Sequence, residues 1–381
     1  MKKVLILSVT AGEGHNATAK ALSAEFQRQG HDAFVLDTFQ YVSPPVAKFL
    51  SEGYLLVTDK AKTAYKTGYR LAEKRRGTDK PIIHLIDMAF SDDIARIIEN
   101  VNCDAVLFTH AFAGMILNYM KKKNMISVPT LGILTDFTFH PYWEDCTAND
   151  FVFVPSKALL PQGRRKGFRD EQIIDTGIPV NPGFANTVPQ TDARKQLGLD
   201  PDPTTILIMG GSMGYGNLAD TVRRIDALSF EKDFQMIAVC GNNADAKNEL
   251  DALVHSGTLA HKTLVTGFVD YVSLLMDAAD CIVTKPGGLT TSESLAKGLP
   301  MVIVNPIPGQ EERNTEFLLN NGAACAVSKT CSIEECLFQL LSSPVRLAAM
   351  KDCVKALAHP TSTYDVCRFT IELCEKYNAK G

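Results

Sequence analysis

Short runs of Val, Ile and Leu, apolar on both faces, recur along the chain and constrain its fold more than any other feature. In the first half they cover residues 4–9, 33–36, 105–108, 130–134 and 151–154. In the second half they cover 205–209, 236–239, 263–265, 281–284 and 301–304. A strand with two apolar faces must be covered on both, which suits the parallel sheet of a helix-covered α/β domain. The intervening segments are long enough for crossover helices, as at 17–29, 218–228 and 292–297. The alternation occurs twice, so the expected architecture is two doubly wound α/β domains.

A boundary falls between the two sets. Residues 178–203 hold Pro179, Pro182, Pro189, Pro201 and Pro203 and few apolar runs. Such a stretch reads as a linker, or as a long surface loop within one domain. The expected division is a first domain over 1–178, a linker over 179–203 and a second domain over 204–360. In the remainder, 361–381, Val366, Phe369, Leu373 and Tyr377 share one helix face. That helix is expected to pack back on the first domain.

Composition narrows the class. With 45% apolar and 22% charged residues, the chain is neither disordered, collagenous nor a coiled coil. Its 39 basic and 43 acidic residues give no excess of the kind that marks a nucleic-acid binder. The first 180 residues carry 22 basic and 20 acidic, the rest 17 and 23, so the basic residues lean toward the first half. Ten cysteines lie scattered without a CxxC or a zinc-spaced Cys/His run, which fits a reducing, cytosolic compartment. Cys331 and Cys336 read as packing rather than as a metal site. The apolar run at 4–9 is too short for a signal-peptide core, and no stretch approaches a membrane span.

Four turns carry candidate chemistry. After the first run comes Thr10-Ala11-Gly12-Glu13-Gly14-His15. Gly12-x-Gly14-x-x-Ala17, with Asp37 ending the second run, fits a dinucleotide fingerprint, so an NAD-dependent oxidoreductase is one alternative and a tight packing turn another. His15 belongs at a helix start, where the N-terminal dipole keeps an imidazole neutral and able to act as a general base, or where it serves as a cap. The second turn, 209–216, has four glycines and Ser212 but no Lys-Ser/Thr pair, so it suits an anionic group without indicating nucleotide triphosphate hydrolysis.

The third turn reads Lys285-Pro286-Gly287-Gly288-Leu289-Thr290-Thr291-Ser292-Glu293. Pro-Gly-Gly breaks the chain, and a helix starting around Leu289–Thr290 would point its first amides at an anion. Thr290, Thr291 and Ser292 add hydroxyls, and Glu293 suits a ribose diol or a first-turn cap. In the fourth turn, Pro306-Ile307-Pro308-Gly309 leads into Gln310, Glu311 and Asn314, groups suited to sugar hydroxyls or to a solvated helix start.

Taken together the chain resembles the bacterial processive diacylglycerol glucosyltransferases and plant monogalactosyldiacylglycerol synthases. These are GT-B glycosyltransferases related to the lipid-II-forming N-acetylglucosaminyltransferase. The resemblance rests on Gly12-Glu13-Gly14-His15, Thr135-Asp136-Phe137-x-x-His140-x-x-Trp143 and Gly177-Ile178-Pro179-Val180-x-Pro182-x-Phe184. It rests further on Gly267-Phe268-Val269-Asp270, Thr284-Lys285-Pro286-Gly287-Gly288-Leu289-Thr290 and Pro308-Gly309-Gln310-Glu311-x-x-Asn314. The resemblance implies two Rossmann-like domains facing a cleft and inverting transfer of glucose or galactose from a UDP-sugar to diacylglycerol. An alternative is another lipid acceptor, polyprenyl-linked or already glycosylated.

By the same resemblance, Phe268 and Val269 contact uracil and Glu293 the ribose. Ser212, Gly288, Leu289 and Thr290 face the pyrophosphate, with Gly14, Gly211 and Gly287 beside the donor. Gln310, Glu311 and Asn314 read the hexose. His15, Asp136 and, third in order, His140 are the candidate bases, with His140 and Trp143 on the acceptor or membrane side. By the same resemblance, the expected transfer uses no metal and no cofactor. Eight basic residues between Asp59 and Lys80, among them Lys66, Arg70, Arg75 and Arg76, are interleaved with aromatics and suit anionic lipids rather than nucleic acid. The expected location is the inner face of the cell membrane.

Overall fold

The computed structural model describes residues 1–10, 13–42, 81–211 and 217–378. Gly12, Ser212, Lys66, Arg70, Arg75 and Arg76 lie outside the described residues. The chain forms two compact units, one of Met1–Pro182 with Ile307–Gln310 and Thr361–Gly381, the other of Gly183–Pro306 with Glu311–Pro360.

The first unit holds six parallel strands: β1 (Lys3–Ser8), β2 (Asp32–Asp37), β3 (Ala105–Phe108), β4 (Thr130–Ile133), β5 (Phe151–Val154) and β6 (Ile173–Asp175). Their order is β2-β1-β3-β4-β5-β6. Val4 pairs with Ala33 on one side and Ala105 on the other, so β1 is flanked by strands that lead away in opposite directions. The core joins Val4, Ile6, Leu107, Leu131 and Phe153 to Leu22 and Phe26 of the helix Glu13–Arg28 and to Val366, Cys367 and Cys374 of the helix Ser362–Asn378.

The last helix turns a slightly different face inward than its large apolar residues suggest. Val366, Cys367, Thr370 and Cys374 form the buried stripe, Phe369 and Leu373 flank it, and Tyr377 is exposed. Small Cys and Thr side chains let this helix approach the sheet closely. Ser362 and Thr363 donate their hydroxyls to the carbonyls of Ile178 and Val180, and Thr18 donates to Pro179.

The second unit holds β7 (Thr204–Met209), β8 (Phe234–Val239), β9 (Thr263–Thr266), β10 (Cys281–Thr284), β11 (Met301–Ile303) and β12 (Ala324–Ala326). Their order is β12-β11-β10-β7-β8-β9, again all parallel. Ten of the twelve strands lie on the expected apolar runs. The unanticipated β6 and β12 are three-residue strands at sheet edges, where little apolar sequence is needed.

Much of the expected linker is instead anchored. It carries the helix Gln190–Gln196, whose Arg194 is only 4% exposed. Arg194 donates to the carbonyls of Ala278 at 3.0 Å and Pro201 at 2.7 Å, and to Asp280 Oδ2 at 2.7 Å. Nearby, the buried pair Lys297–Asp277 at 2.9 Å also binds the Asn186 carbonyl and the Val188 N–H. The prolines mark turns within this packed segment.

In each sheet the chain order reverses once, between β1 and β3 and between β7 and β10. Loops leaving the carboxyl ends of such neighbours diverge and open a crevice for ligands. Three of the four sequence turns sit at those points: Thr10–His15 after β1, Gly210–Gly211 after β7 and Lys285–Gly288 after β10.

Candidate active site

His15 lies in the first turn of the helix Glu13–Arg28, half-buried. Its Nδ1 is 2.7 Å from the Thr109 carbonyl oxygen, at the end of β3, and 3.2 Å from the Thr135 hydroxyl, beyond β4. A carbonyl oxygen can only accept, so Nδ1 carries the proton and Nε2 keeps its lone pair. Burial lowers the ring's pKa to about 4, against the opposing pull of the Thr109 hydrogen bond. The result is a neutral imidazole with one fixed tautomer, the form a general base needs.

Thr10, just past the end of the first strand, is held by a chain of hydrogen bonds. Asp37 accepts from the backbone N–H and hydroxyl of Thr10, and from the Gln40 N–H at 3.0 Å. Asn16 donates to Thr10 Oγ1 at 3.0 Å and accepts from Ser8 Oγ at 2.7 Å. Asp37 is therefore spent on the loop, and the dinucleotide reading, which needed it for a ribose, loses its acidic residue.

His110, which the sequence reading did not single out, follows β3 and caps the helix Ala111–Lys122. Its Nδ1 accepts the Phe112 N–H at 3.1 Å, and its ring stands edge-to-face with His15 at a centroid distance of 4.8 Å. Burial first, then the nearby His15 and His140, hold its pKa well below the usual imidazole value. His140 caps the short helix Pro141–Cys146, its Nδ1 accepting from the Tyr142 N–H at 3.4 Å. Burial, then Lys166 and His15, lower its pKa to about 4. Both rings take the opposite tautomer to His15, with the proton on Nε2. Asp136 lies half-buried one residue beyond Thr135.

Trp143 is a correction. It is 4% exposed and stacks on Phe108 at 5.8 Å, with Phe139 and Phe168 around it. Gly132 and Gly114 make room for these rings: a Cβ on Gly132 would lie 2.8 Å from Trp143 and 2.6 Å from Phe108. Trp143 is thus core, and has no face to offer a lipid.

In the second unit the helix Gly288–Ala296 starts one residue earlier than expected, with Gly287 as a cap that has no side chain to satisfy the first amides. Ser292 and Ser294 spend their hydroxyls on the helix's own carbonyls of Gly288 and Thr290, which removes Ser292 as a ligand donor. Thr291 is also a correction, being wholly buried inside the unit. Gly211 takes φ +77° just after β7, a left-handed turn that favours glycine. Glu293 is half-buried with no hydrogen-bond or ion-pair partner among the described residues, and burial raises its pKa to about 8.

Glu311 opens the helix Gln310–Asn320 and meets Lys285 Nζ at 3.5 Å. Asn314 is fully buried and donates to the Pro286 carbonyl at 2.9 Å, so it shapes the Pro-Gly-Gly turn from beneath instead of facing a sugar. Gln310 is half-buried at the start of the same helix. Phe268 stands 68% exposed just past β9, beside half-buried Val269. Gly14 lies next to His15 in the first unit. Among the described residues no group of three or more His, Cys, Asp or Glu could hold a metal, and no helix is long and apolar enough to cross a membrane.

Two Rossmann-like domains, each with a loop at its switch point, make up the GT-B fold. A solved structure of Acinetobacter baumannii MurG shares this fold, with a TM-score of 0.67 and 18% identity over 98% of this chain and 100% of its own. The monogalactosyldiacylglycerol (MGDG) synthase family model matches residues 15–180, and the glycosyltransferase family 28 C-terminal domain model matches 205–362. The processive diacylglycerol beta-glucosyltransferase of Bacillus pumilus is 30% identical over 93% of this chain and 91% of its own length. That of Bacillus subtilis is 27% identical over 100% and 97%. The chain belongs to the processive diacylglycerol beta-glucosyltransferase family and is a hexosyltransferase.

Proposed function

We propose that this protein transfers a hexose from a UDP-sugar to diacylglycerol at a membrane surface, with inversion and without a metal. The observation that carries the reading is the fixed tautomer of His15, which leaves a lone pair on Nε2. In the transfer the acceptor hydroxyl attacks the anomeric carbon and gives its proton to His15 Nε2, while the bond to the diphosphate breaks. The uncapped start of the helix Gly288–Ala296 stabilises the departing diphosphate. At neutral pH Glu293 is largely protonated, so it meets the ribose diol as a neutral donor and acceptor that does not repel the phosphates. Phe268 offers the nucleobase a flat surface, and Glu311, held by Lys285, faces the hexose.

Glucose is the donor sugar we favour, after the names of the relatives, with galactose the alternative. The basic and aromatic segment around 60–80 would hold the enzyme to anionic lipids on the inner face of the cell membrane. The test pairs thermal stabilisation by UDP-glucose, UDP-galactose and NADH with transfer to diacylglycerol in vesicles with and without phosphatidylglycerol. Stabilisation by a UDP-sugar, glycolipid product that survives EDTA, and faster turnover on anionic vesicles are expected. Stabilisation by NADH alone, or loss of product in EDTA, would contradict the proposal.

A further inference from the structure

The mechanism above uses His15 and leaves its neighbour unassigned. His110 comes from a different strand end, yet its ring meets His15 at a centroid distance of 4.8 Å across the switch point between β1 and β3. Each ring turns Nδ1 toward the backbone: His15 donates to the Thr109 carbonyl, and His110 accepts the Phe112 N–H. The far nitrogens are therefore opposite in character. Nε2 of His15 is a bare acceptor, and Nε2 of His110 is an N–H donor. Among the described residues neither Nε2 has a protein partner, and no hydrogen bond joins the two rings. Both residues are half-buried.

We infer that His110 is a second acceptor-site residue, which donates its Nε2–H to the oxygen of the attacking alcohol while His15 takes that alcohol's proton. An alcohol is the chemical class that fits a donor and an acceptor carried on two rings in edge-to-face contact, because one oxygen can both give and accept a hydrogen bond. The second bond fixes the direction in which the O–H points and leaves the remaining lone pair for attack on the sugar. A carboxylate or a ketone could satisfy only the His110 side. The assignment rests on the glycosyl-transfer reading and adds to it the group that orients the nucleophile.

Two measurements test it. His110→Ser keeps an oxygen that can cap the helix but loses the N–H, whereas His110→Asn keeps a cap and offers an amide N–H. His110→Ser should fold and bind UDP as the wild type does, yet lose about 10–100-fold in kcat/KM for diacylglycerol. His110→Asn should recover a measurable part of that loss. The second measurement needs no variant. An acceptor whose reacting CH2OH is changed to CH2OCH3 can still accept from His110, while its isostere ending in CH2CH2CH3 cannot. The ether should inhibit the wild type at least about fivefold more tightly.

Equal inhibition by the two analogues, or unchanged acceptor kcat/KM in a folded His110→Ser, would overturn the assignment. Absence of any glycolipid from the wild type would count instead against glycosyl transfer itself.

Discussion

The pH dependence of transfer carries a signature of the way His15 is held. Its imidazole is half-buried, and burial lowers its pKa to about 4. At pH 5.5 an ordinary imidazole would be only about 9% unprotonated, whereas one with a pKa of about 4 is about 97% unprotonated. The acceptor kcat/KM reports the free enzyme's base. It should therefore stay flat from pH 7 to about 5.5 and fall only toward pH 4, a roughly tenfold difference in retained activity at pH 5.5.

The assay is initial-rate transfer to diacylglycerol in neutral vesicles, with circular dichroism at each pH. That control matters because three histidines are lowered by burial. The unfolded chain takes up protons on them below about pH 6.5 and the folded chain does not, so stability is full above that value and declines as pH falls. A rate that halves near pH 6.5 while the fold stays intact would show that burial does not hold the His15 imidazole neutral.

Three further outcomes follow from the packing and the charges. Gly114→Ala places a Cβ 2.4 Å from the Phe108 ring and 2.9 Å from Cys146 Sγ. The gain in helix propensity of about 1 kcal/mol is outweighed by overpacking of about 1–3 kcal/mol, and a lower urea midpoint is expected. Arg194→Met removes three hydrogen bonds and the partner of Asp280 inside the second unit. It should destabilise by about 3–5 kcal/mol, read as a fall in the thermal midpoint. Glu293→Gln mimics the protonated acid that burial favours. The wild-type carboxyl binds its proton more tightly folded than unfolded, so its contribution is full below about pH 4.5 and is lost as pH rises through about 8. The variant should thus melt above the wild type at pH 8.5, with the two equal at pH 4.5.

The architecture was legible because its strands are buried on both faces and need consecutive apolar residues. The runs at 105–108, 151–154 and 281–284 coincide with β3, β5 and β10. The edge strands β6 and β12 escaped because three residues such as Ala324-Cys325-Ala326 carry no distinctive pattern. His15 could be found from its place at a glycine turn, but its tautomer could not, since that depends on the carbonyl of Thr109, 94 residues away. His110 stood in an apolar context, Phe108-Thr109-His110-Ala111, with nothing local to set it apart. Its significance comes from strand order, which brings the end of β3 beside the end of β1. Trp143 misled in the other direction. The family resemblance placed it on the acceptor or membrane side, and the glycines at 114 and 132 leave the space that buries it.

Inverting transfer with His15 as the base can be tested directly. The most direct measurement uses UDP-[13C]glucose, diacylglycerol vesicles, and the wild type beside His15→Ala, with the anomeric configuration of the lipid product read by NMR. The wild type should yield a β-linked glucolipid. His15→Ala should form it at least about a hundredfold more slowly, with UDP binding preserved. An α-linked product, or a His15→Ala variant that transfers at the wild-type rate, would contradict that mechanism.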